Sequence, residues 1–197
     1  MDAIQRNLKQ HNLVSPLPDS VHLLGNFFLP MKEILLTQGK VALVDDEMYD
    51  YLNKFKWHVC KDSNNFYAYT NIKNLKGNYK KISMHRYIMK PAKGYVVDHV
   101  NHCTLDNQKD NLRICTHSQN LMNRNKTVKN LSGYKGVIHW KRNNTWKAEI
   151  MYNKNKVNLG YYKNINDAAK AYNYAALKYH GEFAQLNVIP NENLLNL

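Results

Sequence analysis

The sequence predicts an α+β protein in two parts. Mixed short strands lead into a strand–loop–strand–helix segment, and a three-stranded antiparallel sheet packed on one helix follows. Three observations carry this reading. Short β-prone runs bounded by Asn, Asp and Gly recur along the chain. Few stretches carry the apolar period of a helix, and the clearest of them, from Ile165, comes late. A polar, basic stretch without period, residues 126–132, separates the two parts. A length of 197 residues leaves room for one ordinary domain or two small ones.

Taken in order, residues 1–30 are polar and broken by Pro16, Pro18 and Pro30, and read as a weakly structured extension. Residues 31–125 form the first domain. The β-prone runs 34–36 and 41–44 flank Gln38-Gly39, which reads as a hairpin. Asp45-Asp46 offers an N-cap for a short helix carrying Met48, Tyr51, Leu52 and Phe55. Strand-like runs follow at 57–60, 66–70 and 80–84, and 84–89 reads as a short helix stopped before Pro91. Residues 95–97 are β-prone and end in Asp98-His99. After a polar loop, Asn111 leads into a second such run, 112–115. Thr116 with Gln119 has the form of a capping box, so a helix starts there. Past the 126–132 linker, residues 133–187 hold strands at 135–141, 145–152 and 156–161. A helix spans 165–179, with Asn164 to cap it and Gly181 to end it. Residues 188–197 read as a tail.

Charge narrows the partners. Lys+Arg number 28 against 15 Asp+Glu, a net charge of +13. Such a balance favours a polyanion, nucleic acid before a membrane surface. No stretch approaches the apolar length of a membrane span, and the N-terminus lacks the pattern of a signal peptide. Cys60, Cys103 and Cys115 read as reduced thiols, without the Cys-x-x-Cys pairs of a zinc site. A cytoplasmic protein, in a bacterial or phage-infected cell, is expected.

The densest chemistry lies between Asp98 and Asn120. Strand, loop, strand and helix bring Asp98, His99 and Asn120 together although 22 positions separate the first from the last. A carboxylate and an amide oxygen are hard ligands suited to Mg²⁺ or Mn²⁺. The imidazole beside them is free to take a proton from an attacking water near neutral pH. Here the chain resembles the HNH nuclease family, whose site is called ββα-metal. The matching residues are Val97-Asp98-His99-Val100-Asn101, Asp106-Asn107, Asn111-Leu112-Arg113 and Asn120. The resemblance implies that His99 is the general base, that Asp98 and Asn120 bind the metal, and that Asn111 braces the loop. His117 and Asn123 are the alternatives for the last ligand. Arg86 and Arg113 are expected to meet DNA, and no structural zinc is implied.

Residues 133–187 hold nine Lys/Arg against three acids, a surplus of six. Alternation turns Trp146, Ala148 and Ile150 one way and Lys147, Glu149 and Met151 the other. Ile165, Ala168, Ala169, Tyr172, Ala175, Ala176 and Tyr179 recur at helical spacing, so an alanine-rich helix covers the apolar face and leaves the other basic and open. This segment resembles the plant APETALA2/ethylene-response-factor DNA-binding domain in Tyr134-Lys135-Gly136-Val137, Trp146-Lys147-Ala148-Glu149-Ile150, Leu159-Gly160-Tyr161-Tyr162, Ala168-Ala169-Lys170-Ala171-Tyr172 and Leu186-Asn187. The resemblance implies a sheet that enters the major groove. The expected contacts are Lys135, Trp140, Arg142, Lys147, Met151, Lys156 and Asn158. Together the two parts look like a phage or mobile-element homing endonuclease. Its partner is double-stranded DNA, it acts as a monomer or a homodimer, and it nicks strands with Mg²⁺ or Mn²⁺. The rival reading is a non-catalytic, sequence-specific DNA-binding regulator that uses the C-terminal sheet alone.

Overall fold

Turn chemistry and strand alternation set most of the architecture in the computed structural model, which describes residues 31–126 and 130–190. The expected N-terminal extension, the middle of the linker and the end of the tail lie outside the described residues. From Met31 onward the chain forms one unit. Strand β1 (Met31–Leu35) pairs antiparallel with β2 (Val41–Asp45) across a tight turn in which Gln38 adopts a left-handed φ of 61°. Helix α1 (Asp46–Leu52) follows. Asp45 does not cap it by its side chain. The carboxylate turns away to accept a bond from the backbone N–H of Lys109 at 2.9 Å, tying this hairpin to a later loop.

Strands β3 (His58–Asp62), β4 (Asn65–Lys73) and β5 (Tyr79–Ser83) form an antiparallel meander. Its inner face joins the first hairpin and α1 in a core of Ile34, Ala42, Val44, Leu52, Trp57, Val59 and Ala68. Trp57 satisfies its indole N–H on the Leu52 carbonyl at 2.8 Å, as a buried indole requires. Met84, fully buried in the same core, opens helix α2 (Met84–Met89), so β5 stops one residue short of the expected 84. Lys90 ends α2 in the left-handed conformation, as the coming Pro91 forces the chain out of helix. Strands β6 (Tyr95–His99) and β7 (Leu112–Thr116) make a hairpin, and helix α3 (His117–Asn123) starts from it. Its capping box is complete: the Thr116 hydroxyl accepts from the Gln119 backbone N–H, and the Gln119 side chain accepts from that of Thr116.

In the C-terminal half, β8 (Val137–Trp140), β9 (Thr145–Tyr152) and β10 (Asn155–Tyr162) form an antiparallel sheet with β9 central. A bulge between Asn158 and Gly160 keeps Tyr161 opposite Lys147. Helix α4 (Ile165–His180) lies on the face of Ala148 and Ile150 through Ala168, Ala169, Tyr172, Ala175 and Ala176, all buried. Small side chains let helix and sheet approach closely. The tightest point is Gly136: a Cβ there would lie 2.0 Å from the Tyr172 ring and 2.6 Å from the Glu149 carbonyl, at a φ of +72°. Gly136→Ala is therefore expected to cost about 2 kcal/mol or more through overpacking and backbone strain, read by urea denaturation.

Lys135 joins the halves. Its ammonium donates to the Met122 carbonyl at the end of α3, and burial pulls its pKa down to about 8. Among the described residues no helix is long and apolar enough to cross a membrane.

Candidate active site

The β6–β7 hairpin sets the site. Asp98 is paired in register with Arg113, and His99 with Leu112. Cross-strand neighbours share a face, so the Arg113 side chain lies against the Asp98 carboxylate. Nε and Nη2 donate to Asp98 Oδ2 at 2.9 and 2.7 Å. Both partners are largely shielded from solvent, at 16% and 8% side-chain exposure, so the pair is a desolvated one and not a surface contact. Arg113, expected to meet DNA, is therefore already committed inside the protein.

The loop between the strands is held at many points. Asn111, buried, accepts from the Asn101 backbone N–H at 2.9 Å through Oδ1 and donates to the Asp106 carbonyl at 2.8 Å through Nδ2. One amide thereby ties both ends of the turn. Asn101 donates to the Asp106 carboxylate at 2.8 Å. Leu43 and Asp106 form an isolated parallel bridge, with Leu43 N–H to Leu105 O at 2.9 Å and Asn107 N–H to Leu43 O at 2.8 Å. Thr104 donates to the Phe66 carbonyl at 2.6 Å. The first hairpin and the meander thus act as a cradle for the loop.

His99 is 5% exposed, and its Nε2 makes no hydrogen bond. Its ring meets His85 edge-on, centroids 5.1 Å apart, and lies 6.1 Å from Tyr67. Burial lowers the pKa of His99 below the ordinary histidine value, although the Asn107 amide and the Asp98 and Asp106 carboxylates oppose that shift. The Asn107 carbonyl oxygen is itself buried without a hydrogen bond, so the amide favours the charged ring from nearby without closing a well-formed bond. His85 is pulled further, to about 3, by burial first and then by the neighbouring His99. Its Nε2 pairs with the Ser83 hydroxyl at 3.0 Å. A pair of buried, neutral imidazoles results. Neutral His99 can accept a proton.

Helix α3 brings an amide to Asp98 from Asn123, the alternative to Asn120. Asn123, 4% exposed, donates through Nδ2 to Asp98 Oδ2 at 2.9 Å and Oδ1 at 3.2 Å, and to the His99 carbonyl at 3.3 Å. Asn120 lies one turn earlier, half-buried, and its side chain makes no hydrogen bond. Residues three apart on a helix share a face, which is why Asn123 stands beside Asn120 as an alternative in the sequence. His117 is exposed at the helix start.

A divalent cation is compatible with this arrangement. Asp98 Oδ1 receives a single long bond and keeps lone-pair capacity. The Asn120 amide is uncommitted. Among the described residues no cluster of three or more His, Cys, Asp or Glu exists, so any cation here depends on amide oxygens and water.

The remaining expected DNA contacts divide. Arg86 is exposed, with one bond to the Tyr95 carbonyl at 3.3 Å. Trp140, Arg142, Met151, Lys156 and Asn158 lie on or beside the outer face of the C-terminal sheet, and Trp140 and Met151 are 38% and 50% exposed. That face is less basic than alternation alone indicates. Glu149 sits in its middle and pairs with Lys147 at 2.9 Å and Lys156 at 3.0 Å. Lys135 is not on it, because its ammonium is turned toward α3.

Comparison with known proteins accords with this geometry. A family model described as HNH endonuclease matches residues 90–122, from the end of α2 to the last turn of α3. A protein of Acanthamoeba polyphaga mimivirus, named an uncharacterized HNH endonuclease, is 30% identical over 158 residues, covering 77% of each chain. No solved structure matches the chain. The mimivirus likeness reaches well beyond the matched motif into both halves of the fold, and by it the chain belongs to the HNH endonuclease family and is a DNA endonuclease.

Proposed function

We propose that the protein is a divalent-metal-dependent nuclease that nicks double-stranded DNA, with His99 as general base. The observation that carries the reading is the buried His99, its Nε2 without a partner, beside an Asp98 whose orientation is fixed from two sides. Asp98 and Asn120 are the residues that would hold Mg²⁺ or Mn²⁺. When bound, the cation supplies charge stabilisation at phosphorus and at the leaving oxygen. His99 takes the proton of the attacking water. Asn111 holds the loop that follows His99, and Asn123 and Arg113 hold Asp98.

The C-terminal sheet is the proposed anchor on DNA, in the manner of an APETALA2-type domain. Its apolar face is covered by α4, while Trp140, Met151, Lys156 and Arg142 remain on the outside. One active site per chain favours a nick over a double-strand break, and a homing role is the proposed setting.

Plasmid nicking in Mg²⁺ or Mn²⁺ against EDTA tests the reading. Supercoiled DNA is expected to relax to the open circle with either cation and to stay intact in EDTA. DNA that is bound but left uncut under every metal would instead favour the non-catalytic regulator.

A further inference from the structure

The ion pair at Asp98 extends into the C-terminal half. Two nitrogens of Arg113 serve the Asp98 carboxylate, and the third, Nη1, donates to the backbone carbonyl of Glu182 at 2.6 Å. The guanidinium carbon lies 4.2 Å from the centroid of the buried Phe183 ring. Two residues on, the Gln185 side-chain oxygen meets Nε2 of His102, in the loop between β6 and β7, at 2.7 Å. One short segment after α4 therefore touches both the hairpin that carries Asp98 and the loop that follows His99. The turn Gly181–Phe183 lies just beyond the C-terminus of α4, where free carbonyls and the helix dipole favour a cation.

We propose that Arg113 is a positioning residue through which the C-terminal unit completes the nuclease site. A guanidinium with a carboxylate as its one partner keeps freedom to swing. The Glu182 carbonyl and the Phe183 face remove that freedom and fix the planar fork that orients Asp98. The sheet–helix unit then sets the geometry of the reacting groups as well as holding DNA. The inference rests on the reading of Asp98 as a metal ligand.

Full-length Phe183→Ala, Arg113→Lys and Arg113→Ala test it, with Val188→Ser, 91% exposed, as a control expected to match wild type. Four quantities are read: Mn²⁺ affinity of the DNA-free protein by electron paramagnetic resonance, kcat and KM for nicking, DNA affinity in EDTA, and melting temperature. Phe183→Ala is expected to weaken Mn²⁺ by roughly ten-fold and to lower kcat by about 10²-fold, with DNA affinity and KM near wild type. Arg113→Lys keeps the charge but loses the fork, so it should fall between wild type and Arg113→Ala. A lowered melting temperature in Phe183→Ala with wild-type Mn²⁺ affinity and kcat would overturn the proposal and leave Phe183 a packing residue only. So would a parallel loss of DNA affinity and cutting in Arg113→Lys, which would make Arg113 a DNA contact. Should wild type fail to nick while Phe183→Ala still loses Mn²⁺, the brace stands and the proposal of metal-dependent nicking falls.

Discussion

Replacing His99 with alanine is expected to slow strand nicking by about 10²–10⁴-fold while DNA binding stays near wild type, because general-base transfer is worth that much in rate. The ring is buried against His85 and Tyr67, so the truncation also opens a cavity. His99→Gln fills most of that space without a basic nitrogen. If both variants lose cutting and His99→Gln melts near wild type, the loss belongs to proton transfer and not to packing. Equal losses of binding and cutting in His99→Gln would place His99 against DNA and remove it from the chemistry. The depressed pKa of the ring, caused chiefly by burial, keeps the imidazole neutral and able to accept a proton at neutral pH.

The second large effect is at Asp98. Asp98→Asn removes the negative charge but keeps the size, and leaves the shielded Arg113 guanidinium without a counter-charge. Losing one member of a buried pair costs about 3–5 kcal/mol, so the variant should melt well below wild type as well as lose cutting. Helix α3 offers a finer comparison. Asn123→Ala takes away the amide that holds Asp98 Oδ1 and Oδ2, whereas Asn120→Ala takes away an amide that no protein group uses. Asn123→Ala is therefore expected to lower stability and activity together. Asn120→Ala should spare stability and weaken activity in a way that excess Mn²⁺ relieves. Wild-type cutting by Asn120→Ala, with loss in Asn123→Ala at unchanged stability, would move the last metal ligand to Asn123.

Much of the hairpin and helix grammar was legible in one dimension. The Thr116–Gln119 capping box, the Asn164 cap and the alternation of Trp146–Met151 are encoded within a few residues of where they act, so local reading reached them. Asn111 was legible by resemblance, and its bonds to Asn101 and Asp106 span only ten and five positions. Local reading failed where a side chain had two competing partners. Asp45 has the chemistry of an N-cap, but the Lys109 backbone N–H, 64 positions on, takes its carboxylate. Lys156 looks like an open phosphate contact until the pairing of β10 with β9 brings it to Glu149, which Lys147 of the same strand also holds.

The sequence by itself determined the mixed α+β class, the identity of the Asp98-His99 pair and the positive charge that calls for a polyanion. These depend on residue type and short-range periodicity, which a linear reading preserves. The tertiary structure alone decided which asparagine of α3 reaches Asp98, that Leu43 pins the Asp106 loop, and that Arg113 lies between Asp98 and the Phe183 turn. Each of these is a choice among partners separated by 15 to 70 positions, of the kind only a packed chain makes. A guanidinium fork matches a phosphate on DNA as well as a carboxylate inside the protein in its bidentate geometry. The pairing of Asp98 with Arg113 across β6 and β7, together with the Glu182 carbonyl, selects the second.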